Sequence, residues 1–330
     1  MSTMPEGPPA STQPRPAAED VLRRVDDYQH PQGWADASQA PARARQCCEE
    51  LEEGRILFFE RSPFDLAGAD QESLLTWREA GPRKESHVSY HPLEGPLAGT
   101  VGSRRAGRRV HGILRHYSSE VTRSVGWLLA PYAMDWTLDH ASLRLKPVKG
   151  GALPQRERND LLHLDAFSTR PTRGRRLLRC FTNIHPVEPV VWAVAGSFEA
   201  LAREYAEEAG LGRIAAQGSQ RTHPLVRELK MMLGMKAVDL TAYDRFMVAF
   251  EQHLKEKKDW QEKSKKIRLE FPPGSSWIGL TDAVPHAELS AAGTLEQGFT
   301  IPLRVVLRPE RAPIRVLEGI AGMPLANFTT

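Results

Sequence analysis

The chain has 330 residues, 44 Lys and Arg against 41 Asp and Glu for a net charge of +3, and 41% hydrophobic residues. This is the balance of an ordinary globular protein, and it excludes a disordered polyelectrolyte or a chain that coats nucleic acid through bulk charge. No apolar run reaches the roughly 18 residues a membrane-spanning helix needs. The N-terminus lacks the basic start and apolar centre of a secretory signal. Cys47, Cys48 and Cys180 form neither a disulfide framework nor a zinc-finger pair, so a reducing, cytoplasmic setting is expected.

In chain order, residues 1–45 carry Pro5, Pro8, Pro9, Pro14, Pro16, Pro31 and Pro41 among small and polar residues. They read as a disordered tail, with a short helix over 19–28 as its only element. Order is expected from residue 46, with a strand over 55–59, a helix over 71–79, loop and short strands over 83–102, and a helix over 110–130 ended by Pro131. The later part alternates as strands at 141–147, 161–166, 177–184 and 190–194. Helices follow at 198–209, 224–235 and 242–258, then strands at 267–271, 276–281, 294–302 and 305–307. Strands, a helical insert and strands again predict one β-rich α+β domain over 46–330, closed by both halves of the chain with helices outside.

The sharpest chemical signal is Leu162-His163-Leu164-Asp165. On a strand, His163 and Asp165 share a face, and a second imidazole would complete a set of two His and one carboxylate that leaves Fe(II) open positions for oxygen chemistry. His286, in Thr281-Asp282-Ala283-Val284-Pro285-His286, is the candidate third ligand. In a chain with 11 His the tripeptide alone discriminates little, because a surface strand pair gives the same string. His286-Ala287-Glu288 is a weaker second set. His-Glu-x-x-His, Gly-x-Ser-x-Gly and the phosphate-loop string are all absent, which removes zincin, α/β-hydrolase and P-loop readings. Cys180 reads as core.

Two basic clusters stand out: Arg104, Arg105, Arg108 and Arg109 on an expected loop, and residues 253–268 with six Lys and Arg268. A solvated face explains both, and so does attraction to anionic lipid. Neither interleaves aromatics as a base-stacking platform does, so nucleic acid is not an expected partner.

Several longer strings carry a resemblance: residues 162–186 (LHLDAFSTRPTRGRRLLRCFTNIHP), 270–290 (EFPPGSSWIGLTDAVPHAELS), 295–302 (LEQGFTIP), 51–66 (LEEGRILFFERSPFDL) and the pair Tyr243-Asp244. Together they resemble the Kdo hydroxylase family, iron- and 2-oxoglutarate-dependent dioxygenases acting on 3-deoxy-D-manno-octulosonic acid in the inner core of lipopolysaccharide. The resemblance implies a double-stranded β-helix (a jelly-roll, cupin-like core) and Fe(II) held by His163, Asp165 and His286. It also implies 2-oxoglutarate and O₂ as co-substrates, with hydroxylation at C3 of Kdo on a lipid A precursor at an anionic membrane surface. For the far carboxylate of 2-oxoglutarate, Arg179 and Asn183 on the strand after His-x-Asp are candidates, as is Arg304, the first basic residue after His286. Arg144 and the Arg104–Arg105 pair are candidates for substrate carboxylate or phosphate. Gly298 stands where the family has Thr, and Glu288 where it has a small residue. A non-catalytic β-barrel binding anionic glycolipid, and a related dioxygenase with another substrate, are the alternatives.

Overall fold

The computed structural model describes residues 18–64, 66–80, 87–92, 94–96, 104–145, 153–219 and 238–326. Its strands are β1 (Leu22–Arg24), β2 (Tyr28–Gln29), β3 (Gly33–Trp34), β4 (Ile56–Phe59), β5 (His87–His91), β6 (Gly95–Pro96), β7 (Thr137–Arg144), β8 (Arg176–Asn183), β9 (Val190–Val194), β10 (Ile267–Phe271), β11 (Ser276–Leu280), β12 (His286–Ser290) and β13 (Thr294–Ile301). The helices are α1 (Ala18–Val21), α2 (Ala40–Glu52), α3 (Gly68–Ala80), α4 (Arg104–Leu128), α5 (Ala130–Ala133), α6 (Phe198–Tyr205), α7 (Leu211–Gln217), α8 (Ala242–Glu256), α9 (Lys258–Lys263) and α10 (Pro313–Ala321).

A large sheet runs in the order β1-β4-β11-β8-β13-β7-β5-β6, and a smaller one in the order β10-β9-β12. Every residue of β8 is buried, because β8 is covered on both faces. Side chains alternate along it. Leu178 and Cys180 face a helical layer that includes Val110, Ile113, Leu114, Tyr117, Val121, Val125 and Leu128, spaced three and four apart on α4. Phe181 faces the other way, into the gap between the sheets, where Trp192, Phe271 and Trp277 pack. Phe271 and Trp277 are stacked with centroids 4.0 Å apart, and Phe181 stacks on Trp277 at 5.3 Å. The large sheet is thus half of two layers, and the inter-sheet gap holds the polar residues described below.

The helical insert, α6 to α9, joins β9 to β10 and packs with α10 around Phe246, Phe250 and Leu254. Thr241 and Asp244 form a reciprocal capping box at the start of α8. The helix expected over 224–235 lies outside the described residues, as do parts of 83–102 and the end of the strand expected over 141–147.

Several expectations change. Residues 18–45 belong to the fold rather than to a tail. β1 pairs in parallel with β4, Leu22 opposite Ile56, and α2 buries Cys47, Cys48 and Leu51. Tyr28 and Trp34 are buried, with rings 5.1 Å apart, and the Tyr28 hydroxyl donates to the Ser124 carbonyl at 2.5 Å. Proline density shows where long ladders cannot run, but a few aromatic anchors suffice to hold short pieces of chain against a core. The segment 161–166 is not a strand of either sheet, and its one β-bridge among the described residues joins His163 to His286. Residues 303–305 form a 3₁₀ turn where 305–307 was expected as a strand. Arg104 to Arg109 open α4 rather than a loop, and β12 was not anticipated. Replacing Tyr28 with Ala is expected to cost about 3–5 kcal/mol, read by chemical denaturation; a change within error would return residues 18–45 to the status of a tail.

Candidate metal centre

His163 and His286 lie in segments that meet through a reciprocal backbone pair: His163 N donates to His286 O and His286 N to His163 O, both at 2.9 Å. Asp165 N donates to Thr281 O at 3.0 Å. The Gln261 side chain on α9 completes the support, accepting from Leu162 N at 2.9 Å and donating to Leu162 O at 2.8 Å. These bonds replace a ladder, so the segment keeps the alternation read from the sequence. Leu162 and Leu164 point into apolar clusters, while His163 and Asp165 point into the gap between the sheets.

The three side chains converge. One ligating atom each from His163, Asp165 and His286 lies within 4.8 Å of the others, and all three residues are buried. The imidazole centroids are 4.6 Å apart. Both rings contact carbonyl oxygens through Nδ1: His163 to Leu161 O at 2.8 Å and His286 to Val284 O at 2.9 Å. An Nδ1–H donating to a carbonyl fixes the tautomer and leaves the Nε2 lone pair aimed inward, as a metal-ligating histidine requires. Burial, followed by the neighbouring His286, drives the His163 pKa well below its ordinary value; burial lowers that of His286 as well. Both rings are therefore neutral donors at pH 7. For Asp165, burial would raise the carboxyl pKa, but the Arg179 guanidinium beside it outweighs burial and holds the group ionised.

Arg179 on β8 donates to Asp165 Oδ2 at 2.5 Å and pairs with Glu296. Its guanidinium sits over the rings of Phe167 and Phe181, 5.7 and 5.5 Å from their centroids. Arg144 on β7 reaches Glu288 at 3.1 Å and Glu296 at 3.0 Å. Trp192 stacks on His286 at 4.7 Å. A pocket is lined by Arg144, Asn159, His163, Asp165, Arg179, Phe181, Trp192, His286 and Glu288. Among its ionised groups and Glu296, two guanidiniums face three carboxylates. With neutral imidazoles this leaves a surplus negative charge, and a divalent cation at the three donors would compensate it. The donor set, the tautomers and the charge all fit Fe(II).

Other sequence candidates lie elsewhere. The Asn183 side chain donates to Glu188 O and Phe271 O and accepts from His185 N, so it ties loops together at the end of β8. Arg304 is exposed and pairs with Asp135. Arg105 is exposed on the first turn of α4 and is not among the residues that line the pocket, while the side chain of Arg104 lies outside the described ones. Glu296 and Trp192 were not singled out. The available signal was a carboxylate in a strand that also carries Leu295, Phe299 and Ile301, since a buried charge demands a partner. Gly298 leaves room for Asp139, because a Cβ there would lie 3.2 Å from Asp139 Cβ.

Asp139 belongs to a second group with His91 and His140. There Arg170 donates to Asp139 Oδ2 at 2.6 Å and lies 2.8 Å from His140 Nδ1. A guanidinium already stands among those donors, so the group is an ion-paired cluster that disfavours a cation.

Two imidazoles and one carboxylate brought together between two β-sheets are the donor set of the non-haem Fe(II) oxygenases. A family model described as 3-deoxy-D-manno-oct-2-ulosonic acid (Kdo) hydroxylase matches residues 34–324, and the chain belongs to that family. It is therefore an Fe(II)- and 2-oxoglutarate-dependent dioxygenase. Among solved structures it is similar to the Kdo hydroxylase KdoO, a non-heme Fe(II) α-ketoglutarate-dependent dioxygenase, in complex with α-ketoglutarate and Fe(III). The TM-score is 0.76 at 26% identity, covering 94% of this chain and 100% of that one. The apo form matches with the same values, and the cobalt(II) complex matches at 26% identity and TM-score 0.76, over 94% of this chain and 98% of that one. No curated protein sequence matches.

Loss of His163 or His286 to Ala is expected to abolish stoichiometric Fe(II) binding while the fold survives, measured by metal analysis and circular dichroism; retention of a full equivalent of iron would remove that residue from the site. The loop that delivers His286 is anchored by the buried Arg176–Asp282 pair, bonded at 2.8 and 3.2 Å. Asp282→Asn leaves a buried guanidinium without its counter-charge and is expected to cost about 3–5 kcal/mol in denaturant titration.

Proposed function

We propose that the chain hydroxylates C3 of the Kdo sugar on a lipid A precursor, with His163, Asp165 and His286 holding Fe(II). The observation that carries the reading is the inward-facing Nε2 of two neutral imidazoles beside an ionised Asp165. Iron with bound 2-oxoglutarate supplies, in the presence of O₂, the oxidation that puts one oxygen on the sugar and releases succinate and CO₂.

The chain's own residues do the rest. Arg179 keeps Asp165 deprotonated and oriented, and its second nitrogen, now on Glu296, is available to a co-substrate carboxylate. Arg144, held by Glu288 and Glu296, lies across the pocket as the cation for the acidic sugar. Trp192 and Phe181 give the pocket an apolar wall that keeps bulk water from the reacting carbon. The two sheets serve as the halves of a double-stranded β-helix, in a single catalytic domain that begins well before residue 45. The acceptor is an amphiphile, so the enzyme works at the cytoplasmic side of the inner membrane as a peripheral protein, with no nucleic acid partner.

The test is anaerobic enzyme with Fe(II), 2-oxoglutarate and Kdo-bearing lipid, exposed to O₂. Mass spectrometry should show the gain of one oxygen, lodged at C3 by fragmentation, with one succinate per product. Succinate formation without any sugar product would reject Kdo as the substrate. Arg179→Lys loses the planar fork and is expected to raise the KM for 2-oxoglutarate by roughly tenfold or more, the worth of one charge-assisted hydrogen bond; an unchanged KM would take Arg179 out of the co-substrate site.

A further inference from the structure

Helix α4 carries a charged surface that the catalytic pocket does not use. Its 25 residues span roughly 37 Å. One face is buried against the large sheet through Val110, Leu114, Tyr117, Val121 and Val125. The opposite face repeats at helical spacing as Arg105, Arg108, Arg109, Arg115, Arg123 and Trp127, all exposed, with no Asp or Glu among them. Glu120, at the flank with its side chain 16% exposed, pairs with Arg123 at 3.2 Å. Where the stripe ends Trp127 is 56% exposed, and Met134, just past the short helix α5 that follows α4, is 83% exposed. The Trp127 ring is braced from below by Gly33 and His30, at 3.8 Å from the position of a Gly33 Cβ and 6.0 Å from the His30 centroid.

We infer that α4 is the surface by which the protein docks flat on an anionic lipid bilayer, its arginines at the headgroups and Trp127 and Met134 at the acyl boundary. This rests on the reading of a membrane-held acceptor. A straight row of guanidiniums on one rigid helix matches a plane of phosphates, and each basic group near such a surface strengthens binding roughly fivefold. Apolar side chains gathered at one end of the row are what an interfacial helix buries. A nucleic-acid groove instead interleaves its aromatics with the cations along the track. The 3.6-residue repeat keeps the docking face opposite the sheet-packing face, so contact with lipid requires no unfolding of the core.

The experiment uses the full-length protein and flotation with vesicles of phosphatidylcholine alone or mixed with phosphatidylglycerol, at low and high salt. The variants are the triple Arg108→Gln, Arg115→Gln, Arg123→Gln and, separately, Trp127→Ala. Wild type is expected to float with the anionic vesicles only, and to release as salt rises. The triple variant should lose roughly a hundredfold in affinity for them. Trp127→Ala should weaken binding to anionic vesicles while preserving its salt dependence. Both variants should turn over free Kdo in solution as wild type does. Equal binding to neutral vesicles, undiminished binding by the triple variant, or duplex DNA captured in place of vesicles would each overturn the assignment. A wild type that floats as described but never oxidises Kdo would count against the substrate reading and leave the docking surface standing.

Discussion

The site depends on the two-way hydrogen bond between the backbones of His163 and His286. That bridge fixes the separation of two residues contributed by distant parts of the chain, and it does so through main-chain atoms that no side-chain substitution removes. Each ring is then turned by a carbonyl two residues upstream, Leu161 O for one and Val284 O for the other. The two histidines thus share one local design: an extended backbone, a fixed tautomer and a lone pair directed at the gap between the sheets. Preorganisation of this kind places the donors before any ion arrives, and the stack of Trp192 on His286 prevents the ring from swinging away.

Burial sets the electrostatics around that bridge. Arg144 and Arg179 sit where an isolated guanidinium would be costly, and Glu296 joins them by pairing with both. Asp165 and Glu288 add two more carboxylates, so the resting pocket is closed by ion pairs and carries more negative than positive charge. A divalent cation held by the two imidazoles and Asp165 would offset that surplus. Glu288 pairs with Arg144, while Gly298 makes space for the Asp139–Arg170 cluster further along the sheet.

Periodic features were legible in the sequence, because amphipathic spacing reflects which side of an element meets the core. The strands β8, β9, β10, β11 and β13 emerge within a residue of expectation, the apolar face of α4 emerges although the helix begins at Arg104 rather than at 110, and His163, Asp165 and His286 lie together. Short elements were not legible. β1 to β3 are too brief to show a period, and Pro-rich context hides that Tyr28 and Trp34 anchor them. The segment holding His163 and Asp165 alternates like a strand but is held by Gln261, Thr281 and His286, partners that only the folded chain brings near. Asn183 and Arg304 were placed by strand parity and by distance along the chain. Neither measure reports that Asn183 is consumed by three backbone groups or that Arg304 lies at the surface beside Asp135.

The most direct test of the central claim is X-ray absorption spectroscopy on the Fe(II)-loaded protein. Two imidazole nitrogens, seen through their outer-ring scattering, and one carboxylate oxygen are expected around the iron, the remainder being water or co-substrate. A shell with one imidazole or none would contradict it, since it would mean that His163 and His286 do not close on the same ion.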